Sequence, residues 1–269
     1  MARFVVTTLG GALRRALPWL VPVLILLGWQ AGSEAGWIRA TVLPAPTDVA
    51  LAGWQLLLSG ELIRNVEVSA WRAGVGFAIG GGIGFVLGMA NGVWSLSETL
   101  LDTTLQMIRN IPHLALIPLV ILWFGIDEEA KLFLVALGVF FPIYVNTMHG
   151  VRSVDRRLLE MARVYGMSER RLFLHVVLPG ALPSVFVGLR YGLGIMWLTL
   201  IVAETISASS GIGYMAMNAR EFMLVDVVVF AILVYAALGK LADSIARLLE
   251  RVCLAWNPVY APISREGGR

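Results

Sequence analysis

The sequence has one cysteine, little charge and none of the short motifs on which many enzymes depend. Its single cysteine, Cys253, excludes an internal disulfide and has no metal ligands beside it. The sequence contains no G-x4-G-K-[ST] phosphate loop, no H-E-x-x-H, no C-x-x-C and no plausible nucleophile–base pair. We therefore expect no catalytic site, no metal site and no cofactor bound by this chain.

Charged residues make up only 14% of the 269 residues, whereas hydrophobic residues make up 58%. This apolar fraction and the mean hydropathy of +0.79 are unlike those of soluble domains. Several apolar runs reach the roughly 20 residues that a helix needs to cross the hydrocarbon core of a bilayer. The composition predicts an all-α integral membrane protein that lies in a lipid bilayer.

The positive charge is distributed unevenly along the chain, and all but two of the 21 basic residues are arginine. They lie in loops and at helix ends, which the positive-inside rule explains without a nucleic-acid partner. This distribution predicts about six spans with both termini in the cytoplasm. The segments placed inside carry Arg3, Arg14, Arg15, six arginines from Arg152 to Arg171, Lys240, Arg247 and Arg251, whereas those placed outside carry Arg39, Arg64, Lys131 and Arg220, with Arg72 at an edge.

The order of these segments suggests three parts. Residues 1–65 form an N-terminal anchor helix and an extracytoplasmic amphipathic segment at Val49–Leu58, residues 66–251 form the membrane core, and residues 252–269 form a cytoplasmic tail. A cleaved signal peptide is an alternative for the first span, although its two prolines favour a retained helix. The predicted spans are Leu17–Ala31, Trp71–Val93, Ser97–Phe124, Leu132–His149, Val185–Thr205 and Val227–Leu241.

The second span carries a glycine at every fourth position, so that the glycines line one face of a helix. Such a face lets a neighbouring helix approach closely. In lipid the hydrophobic effect does not drive helices together, so close van der Waals contacts of this kind stabilise the helix pair instead. Helix packing is a better interpretation than nucleotide binding, because no strand precedes the glycines. The stripe consists of Gly76, Gly80, Gly84, Gly88 and Gly92.

Polar residues inside the predicted spans are the candidates for a substrate path. Ionisable groups at membrane depth are costly unless they face protein or water. Arg109 has an equally good alternative, because at the cytoplasmic end of its span it would extend to the lipid headgroups. Glu204 is either a water-exposed helix end or part of a gate. The candidates are Arg109, Asn110, His113, Asn146 and Glu204.

The stretch from Asp155 to Pro179 is the least membrane-like part of the core. Its apolar positions recur at helical spacing on both sides of Gly166, while five arginines occupy the other faces. Gly166 supplies a left-handed position that closes the first helix, Ser168 can cap the second, and Pro179 ends it. We predict a helix–glycine–helix hairpin on the membrane surface; the alternative is an ordinary basic loop.

The spacing within this hairpin resembles the EAA loop of binding-protein-dependent ABC importer permeases. That pattern is Glu-Ala-Ala, three residues, Gly, nine residues, Ile, one residue and Leu-Pro. Here Met161 and Val176 are mild departures from it. The matching positions are Glu160, Ala162, Gly166, Leu178 and Pro179. The resemblance implies that residues 155–179 form the coupling hairpin, which docks on a cytoplasmic ATPase subunit.

Three further stretches, residues 109–126, 175–208 and 211–222, resemble the aliphatic sulfonate permeases of the sulfonate, taurine and nitrate branch. The resemblance implies a type I (MetI-like) bundle in the bacterial inner membrane, which imports a small organic anion by alternating access. It also implies two permease copies, two ATPase subunits that use ATP and Mg, and a periplasmic substrate-binding protein. On sequence alone the alternatives are an ion-coupled secondary transporter, a membrane scaffold or channel subunit, and a permease for taurine, nitrate or another small anion.

Overall fold

The computed structural model describes residues 2–257 of the chain, with side chains from Leu17 onward except that of Ser207. Every regular element in this range is helical, so the all-α prediction is confirmed. Of the predicted tail, residues 258–269 lie outside the described range. The helices are α1 (Ala2–Glu34), α2 (Pro46–Leu58), α3 (Glu61–Val93), α4 (Ser95–Arg109), α5 (Ile117–Phe124), α6 (Glu128–Arg152), α7 (Arg156–Val164), α8 (Glu169–Leu172), α9 (Leu178–Ser207), α10 (Ile212–Glu221) and α11 (Val225–Cys253).

The contacts divide the chain into two compact units. One contains Met1–Arg64 and Met215–Leu233, and the other contains Asn65–Tyr214 and Val234–Arg269. The first unit includes α2, the amphipathic helix expected at Val49–Leu58, which begins at Pro46. A proline suits the first turn of a helix, because the backbone N–H that it lacks would have no intrahelical partner there.

Four helical segments of the described chain are long and apolar enough to cross a membrane: Glu61–Val93, Glu128–Arg152, Glu169–Ile206 and Val225–Cys253. A fifth is present if α4 and the helical turns that follow it count as one span. The predicted first span lies within α1. The total of six therefore stays a prediction.

The third predicted span is not a continuous helix. Between α4 and α5 the chain bends by 80°, and a short 3-10 turn at His113–Leu116 leads into α5. Pro112 explains the break, because proline lacks an N–H and disfavours helical geometry in the residue before it. The break separates Arg109, at the end of α4, from His113, at the start of the 3-10 turn.

Pro179 does not end a short helix, which corrects the second half of the hairpin prediction. The helix from Glu169 runs without interruption to Ile206, with a π turn at Phe173–Val177 just before the proline. In a regular α-helix the proline ring would clash with the carbonyl four residues earlier, and the wider π turn relieves that crowding. The second arm of the hairpin is thus the beginning of the membrane helix itself. The segment between the last two predicted spans also contains a helix, α10.

In the second unit α6 lies between α3 and α9. It packs closely against both helices, because glycines of α3, α6 and α9 lie where the helices touch. On the α9 side, a Cβ at Gly188 would lie 2.9 Å from the Pro142 carbonyl oxygen. An apolar cluster joins the three helices and consists of Ala73, Val135, Val139, Ile143, Met196 and Leu200. Two of these helices, α6 and α9, contribute residues to the candidate site.

Candidate functional site

The glycine stripe of α3 faces α6 along most of its length. At Gly80 an added Cβ would lie 2.0 Å from a carbonyl oxygen of α6, and at Gly84 and Gly88 the distances would be 2.6 and 2.7 Å. These distances leave no room for any side chain, so the two backbones are in direct contact. The glycines Gly76, Gly80, Gly84, Gly88 and Gly92 lie opposite Val135, Ala136, Phe140, Tyr144 and Val151 respectively.

Three of the five candidates for the substrate path line one cavity of about 380 Å³. Arg109 and His113 come from the two sides of the break, and Asn146 comes from α6. The remaining lining residues are mostly apolar: Ile111, Leu137, Gly138, Phe141, Pro142, Val145, Tyr191 and Ile195. A few polar groups in a mostly apolar cavity are typical of a small-molecule site.

The polar groups of this cavity differ in how they are held. The His113 Nε2 atom lies 3.0 Å from the Thr199 hydroxyl of α9, and the Asn146 amide nitrogen donates to the Pro142 carbonyl at 2.8 Å. Within the described residues no carboxylate lies within ion-pair distance of Arg109, so its positive charge is available to an anion. Asn110 is exposed, donates to the Gln106 carbonyl and does not line the cavity.

Glu204 lies elsewhere in the second unit, and of its two alternatives the water-exposed helix end is wrong. Its side chain has 0% exposure and forms an ion pair with Arg72, which is 1% exposed. Ser69, Tyr235 and the backbone N–H of Gly213 also donate to its carboxylate, each at 2.8–2.9 Å. The carboxylate is therefore fully satisfied by protein donors.

Arg72 is the residue that sequence reasoning missed. Its guanidinium donates to both oxygens of Glu128 at 2.6 Å, to Glu204 at 2.8 Å and to the Ser210 carbonyl at 2.6 Å. Gly211 is required beside this cluster, because its φ is +108° and an added Cβ would lie 2.4 Å from Glu204. The available signal was a basic residue and an acidic residue on different apolar helices, since such groups pair when buried in a membrane. The cluster ties α3, α6 and α9 to the turn before α10.

The hairpin spacing has a local structural explanation. Asp155 caps α7 by accepting from the Arg157 backbone N–H at 2.9 Å. At the other end Gly166 adopts φ +77°, its N–H donates to Arg163, and the next N–H donates to the carbonyl of Ala162. These bonds form a Schellman motif, which needs the left-handed residue four positions after Ala162. Ser168 occupies the N-cap position of α8 as expected, but its side chain makes no capping bond.

The remaining hairpin residues divide between an inner and an outer face. On the inner face Ala162 is 4% exposed. Leu178 lines an apolar cavity of about 720 Å³ between the hairpin and the end of α3, and the next residue, Pro179, is half-buried. Glu160 is exposed on the outer face. Four large apolar side chains are also exposed there, namely Leu158, Met161, Val164 and Tyr165, of which the last two are more than 80% exposed. An exposed apolar patch of this kind indicates an interaction surface.

A second polar network lies behind the hairpin. The hydroxyl of Tyr144, a residue with 1% exposure, accepts from the Asn91 amide at 2.8 Å and donates to Asp102 at 3.0 Å. Arg152, at the end of α6, pairs with Glu98 of α4 at 2.5 Å. The residues that precede the hairpin are thereby connected to both α3 and α4.

Comparison with known proteins agrees with this architecture. Residues 80–252 match the model of the family described as binding-protein-dependent transport system inner membrane component. The chain is 62% identical over 248 residues to the aliphatic sulfonates transport permease protein SsuC of Escherichia coli (strain K12), covering 92% of this chain and 94% of that protein. It is 46% identical over 241 residues to SsuC of Bacillus subtilis (strain 168), covering 90% and 87%, and 33% identical over 239 residues to the taurine transport system permease protein TauC of Escherichia coli (strain K12), covering 87% of each.

Proposed function

The chain belongs to the family of binding-protein-dependent transport system inner membrane components, the membrane subunits of ABC importers, and we propose that its cargo is an aliphatic sulfonate. Family members work with an ATPase and a substrate-binding protein, and this chain is a transport subunit of the inner membrane. This membership argues against the ion-coupled transporter and the membrane scaffold considered above. Taurine and other small anions remain the alternative cargo, because a taurine permease is also among the relatives.

The observation that carries the proposal is the cavity formed by Arg109, His113 and Asn146. A sulfonate has three oxygens around a single negative charge, and a guanidinium presents donors in a planar fork that suits such groups. Its alkyl part would meet apolar side chains such as Phe141 and Ile195 of the same cavity. Arg109 is exposed rather than enclosed, which favours weak binding and release, as a transport path requires.

The energy for transport would arrive through the hairpin. We place residues 155–179 and both termini in the cytoplasm, on the strength of the arginine distribution. The exposed apolar side chains around Glu160 then form the surface on which an ATPase subunit docks. The complete assembly would contain two copies of this chain, two ATPase subunits that consume ATP and Mg, and a periplasmic binding protein.

The architecture suggests how movement of the hairpin reaches the cavity. One arm follows α6, the other is continuous with α9, and these two helices are in close contact through Gly150 and Gly188. A displacement of the hairpin would therefore move α6 and α9 together as a rigid body. Asn146 of α6 would move with them, and it would move relative to Arg109 at the end of α4 once the bonds from Tyr144 to Asp102 and from Arg152 to Glu98 are released. Their relative motion would open and close the path on alternate sides of the membrane.

The cavity assignment is tested by ATP-dependent uptake of ethanesulfonate into vesicles that contain the assembled importer. Arg109→Ala should reduce uptake by about tenfold or more, since a charge-assisted hydrogen bond is worth about 1.5–3 kcal/mol. Arg109→Lys should retain part of the uptake, because it keeps the charge but loses the fork. Normal uptake by Arg109→Ala, in an importer that assembles normally, would overturn the proposed path.

The hairpin assignment is tested by co-purification of the ATPase. Gly166→Ala should weaken ATPase binding, because alanine is disfavoured at φ +77° and the turn beside Ala162 would distort. Gly60 is a matched control: its φ is +76°, and like Gly166 it has no atom near an added Cβ. Gly60→Ala carries a similar backbone cost away from the hairpin and should retain the ATPase. Equal retention of the ATPase by both variants would contradict the docking role.

A further inference from the structure

The hydroxyl of Thr199 is buried in the protein and directed at a residue of the cavity. Thr199 lies on α9 with 0% exposure, and its hydroxyl oxygen is 3.0 Å from Nε2 of His113, a residue 86 positions earlier in the chain. His113 Nδ1 has no hydrogen-bond partner within the described part of the chain. Thr199 thus occupies one nitrogen of the imidazole and leaves the other available.

Gly138 of α6 provides the space in which these two side chains meet. A Cβ at this position would lie 2.9 Å from the Thr199 hydroxyl oxygen, 3.1 Å from the Ile195 side chain and 3.3 Å from His113 Nε2. The first of these distances is shorter than real Cβ contacts, so an alanine would displace the hydroxyl or the ring. Gly138 itself is buried and lines the same cavity.

The hydrogen bond determines what the histidine can offer to a ligand. A hydroxyl can donate as well as accept, and a neutral imidazole carries its proton on one nitrogen only. When Thr199 donates to Nε2, the proton of the neutral ring resides on Nδ1, which then becomes a donor. A neutral N–H donor binds a sulfonate oxygen more weakly than a second positive charge would, and this suits a path that must release its cargo.

We propose that Thr199 is a positioning residue of the substrate path, which holds His113 in the tautomer that donates from Nδ1 to the anion, and that Gly138 is required to admit this contact. The inference rests on the proposed function, because it assumes that His113 lies on the path. It adds two positions that carry no charge and that no sequence pattern indicated.

The first test measures maximal ethanesulfonate uptake by the reconstituted importer. Thr199→Val keeps the shape of the side chain but removes the hydroxyl, and should lower uptake about three- to tenfold, the effect expected for one lost hydrogen bond. Thr199→Ser restores the hydroxyl and should recover most of the uptake. If serine and valine lower uptake equally, the hydroxyl has no role and the inference is wrong.

The second test uses His113→Ala to separate this inference from the proposed function. On that background Thr199→Val should have no further effect, because its only role is exerted through His113. Normal uptake by His113→Ala alone would mean that His113 is not on the path, and the proposed path itself would need revision. Impaired uptake by His113→Ala, with wild-type uptake by Thr199→Val or additive losses in the double variant, would overturn only the positioning role.

The third test examines the space at Gly138. Gly138→Ala should lower uptake at least as much as Thr199→Val, because the added methyl group displaces the contact. Gly194 is a matched control on α9, since an added Cβ there meets nothing within 4 Å. Gly194→Ala should transport normally. Normal uptake by Gly138→Ala would show that the contact is not needed.

Discussion

Replacing Arg72 by methionine tests whether the buried ion cluster stabilises the second unit. The substitution keeps much of the side-chain volume but removes five hydrogen bonds, two of them to Glu128, two to Ser210 and one to Glu204. Glu128 is 47% exposed and can be solvated, whereas Glu204 has 0% exposure and cannot. Most of the lost stability should therefore come from the Glu204 carboxylate, which stays buried but no longer has a cation beside it.

The expected magnitude follows from the bonds that Glu204 retains. Removing one partner of a buried ion pair costs about 3–5 kcal/mol, and Glu204 keeps its donors from Ser69, Tyr235 and Gly213. We therefore expect Arg72→Met to lower the free energy of unfolding by about 3 kcal/mol, near the lower end of that range. Adding Glu204→Gln should recover roughly 1–3 kcal/mol, because no buried charge then remains unpaired.

The assay is unfolding in mixed micelles with increasing SDS, followed by the fluorescence of the nine tryptophans. Arg64→Met is the control, because Arg64 is an exposed arginine of the same helix and its loss should cost less than about 1 kcal/mol. The reasoning is refuted if Arg72→Met unfolds like Arg64→Met. It is also refuted if Glu204→Gln adds its full cost to that of Arg72→Met, since the two charges would then be independent.

Three further predictions concern packing, backbone strain and the network behind the hairpin. Gly80→Ala should destabilise the helix pair by about 1–3 kcal/mol in the same assay, whereas Gly82→Ala, which meets no atom within 4 Å, should be neutral or stabilising. Met223→Gly should raise the free energy of unfolding by up to about 1 kcal/mol, because Met223 is held at φ +58°; a lower value would contradict strain at this turn. Tyr144→Phe should cost about 1–3 kcal/mol, because the buried Asn91 amide loses its acceptor, and an unchanged unfolding midpoint would show that this bond contributes nothing.

Local signals in the sequence were sufficient for much of the fold. The apolar runs predicted the long helices, because a bilayer leaves few ways to satisfy backbone hydrogen bonds. The turn at Gly166 was predictable for a similar reason, since a Schellman motif depends only on residues a few positions apart. The effect of proline was harder to predict: the chain bends by 80° at Pro112 within the predicted third span, and the prediction that Pro179 ends a helix was wrong, because a π turn accommodates it.

The sequence by itself determined that this chain is a bundle of apolar helices with a charged hairpin, because periodicity, composition and turn chemistry are properties of neighbouring residues. Only the tertiary structure decided which polar residues meet. It paired Arg72 with Glu204 across 132 positions, placed Asn146 in the same cavity as Arg109, and left Asn110 outside. The physical reason is that burial and pairing depend on how helices cross, and a crossing brings together residues that are far apart in the sequence; the glycine pattern of α3 predicted close packing but not which helix it meets.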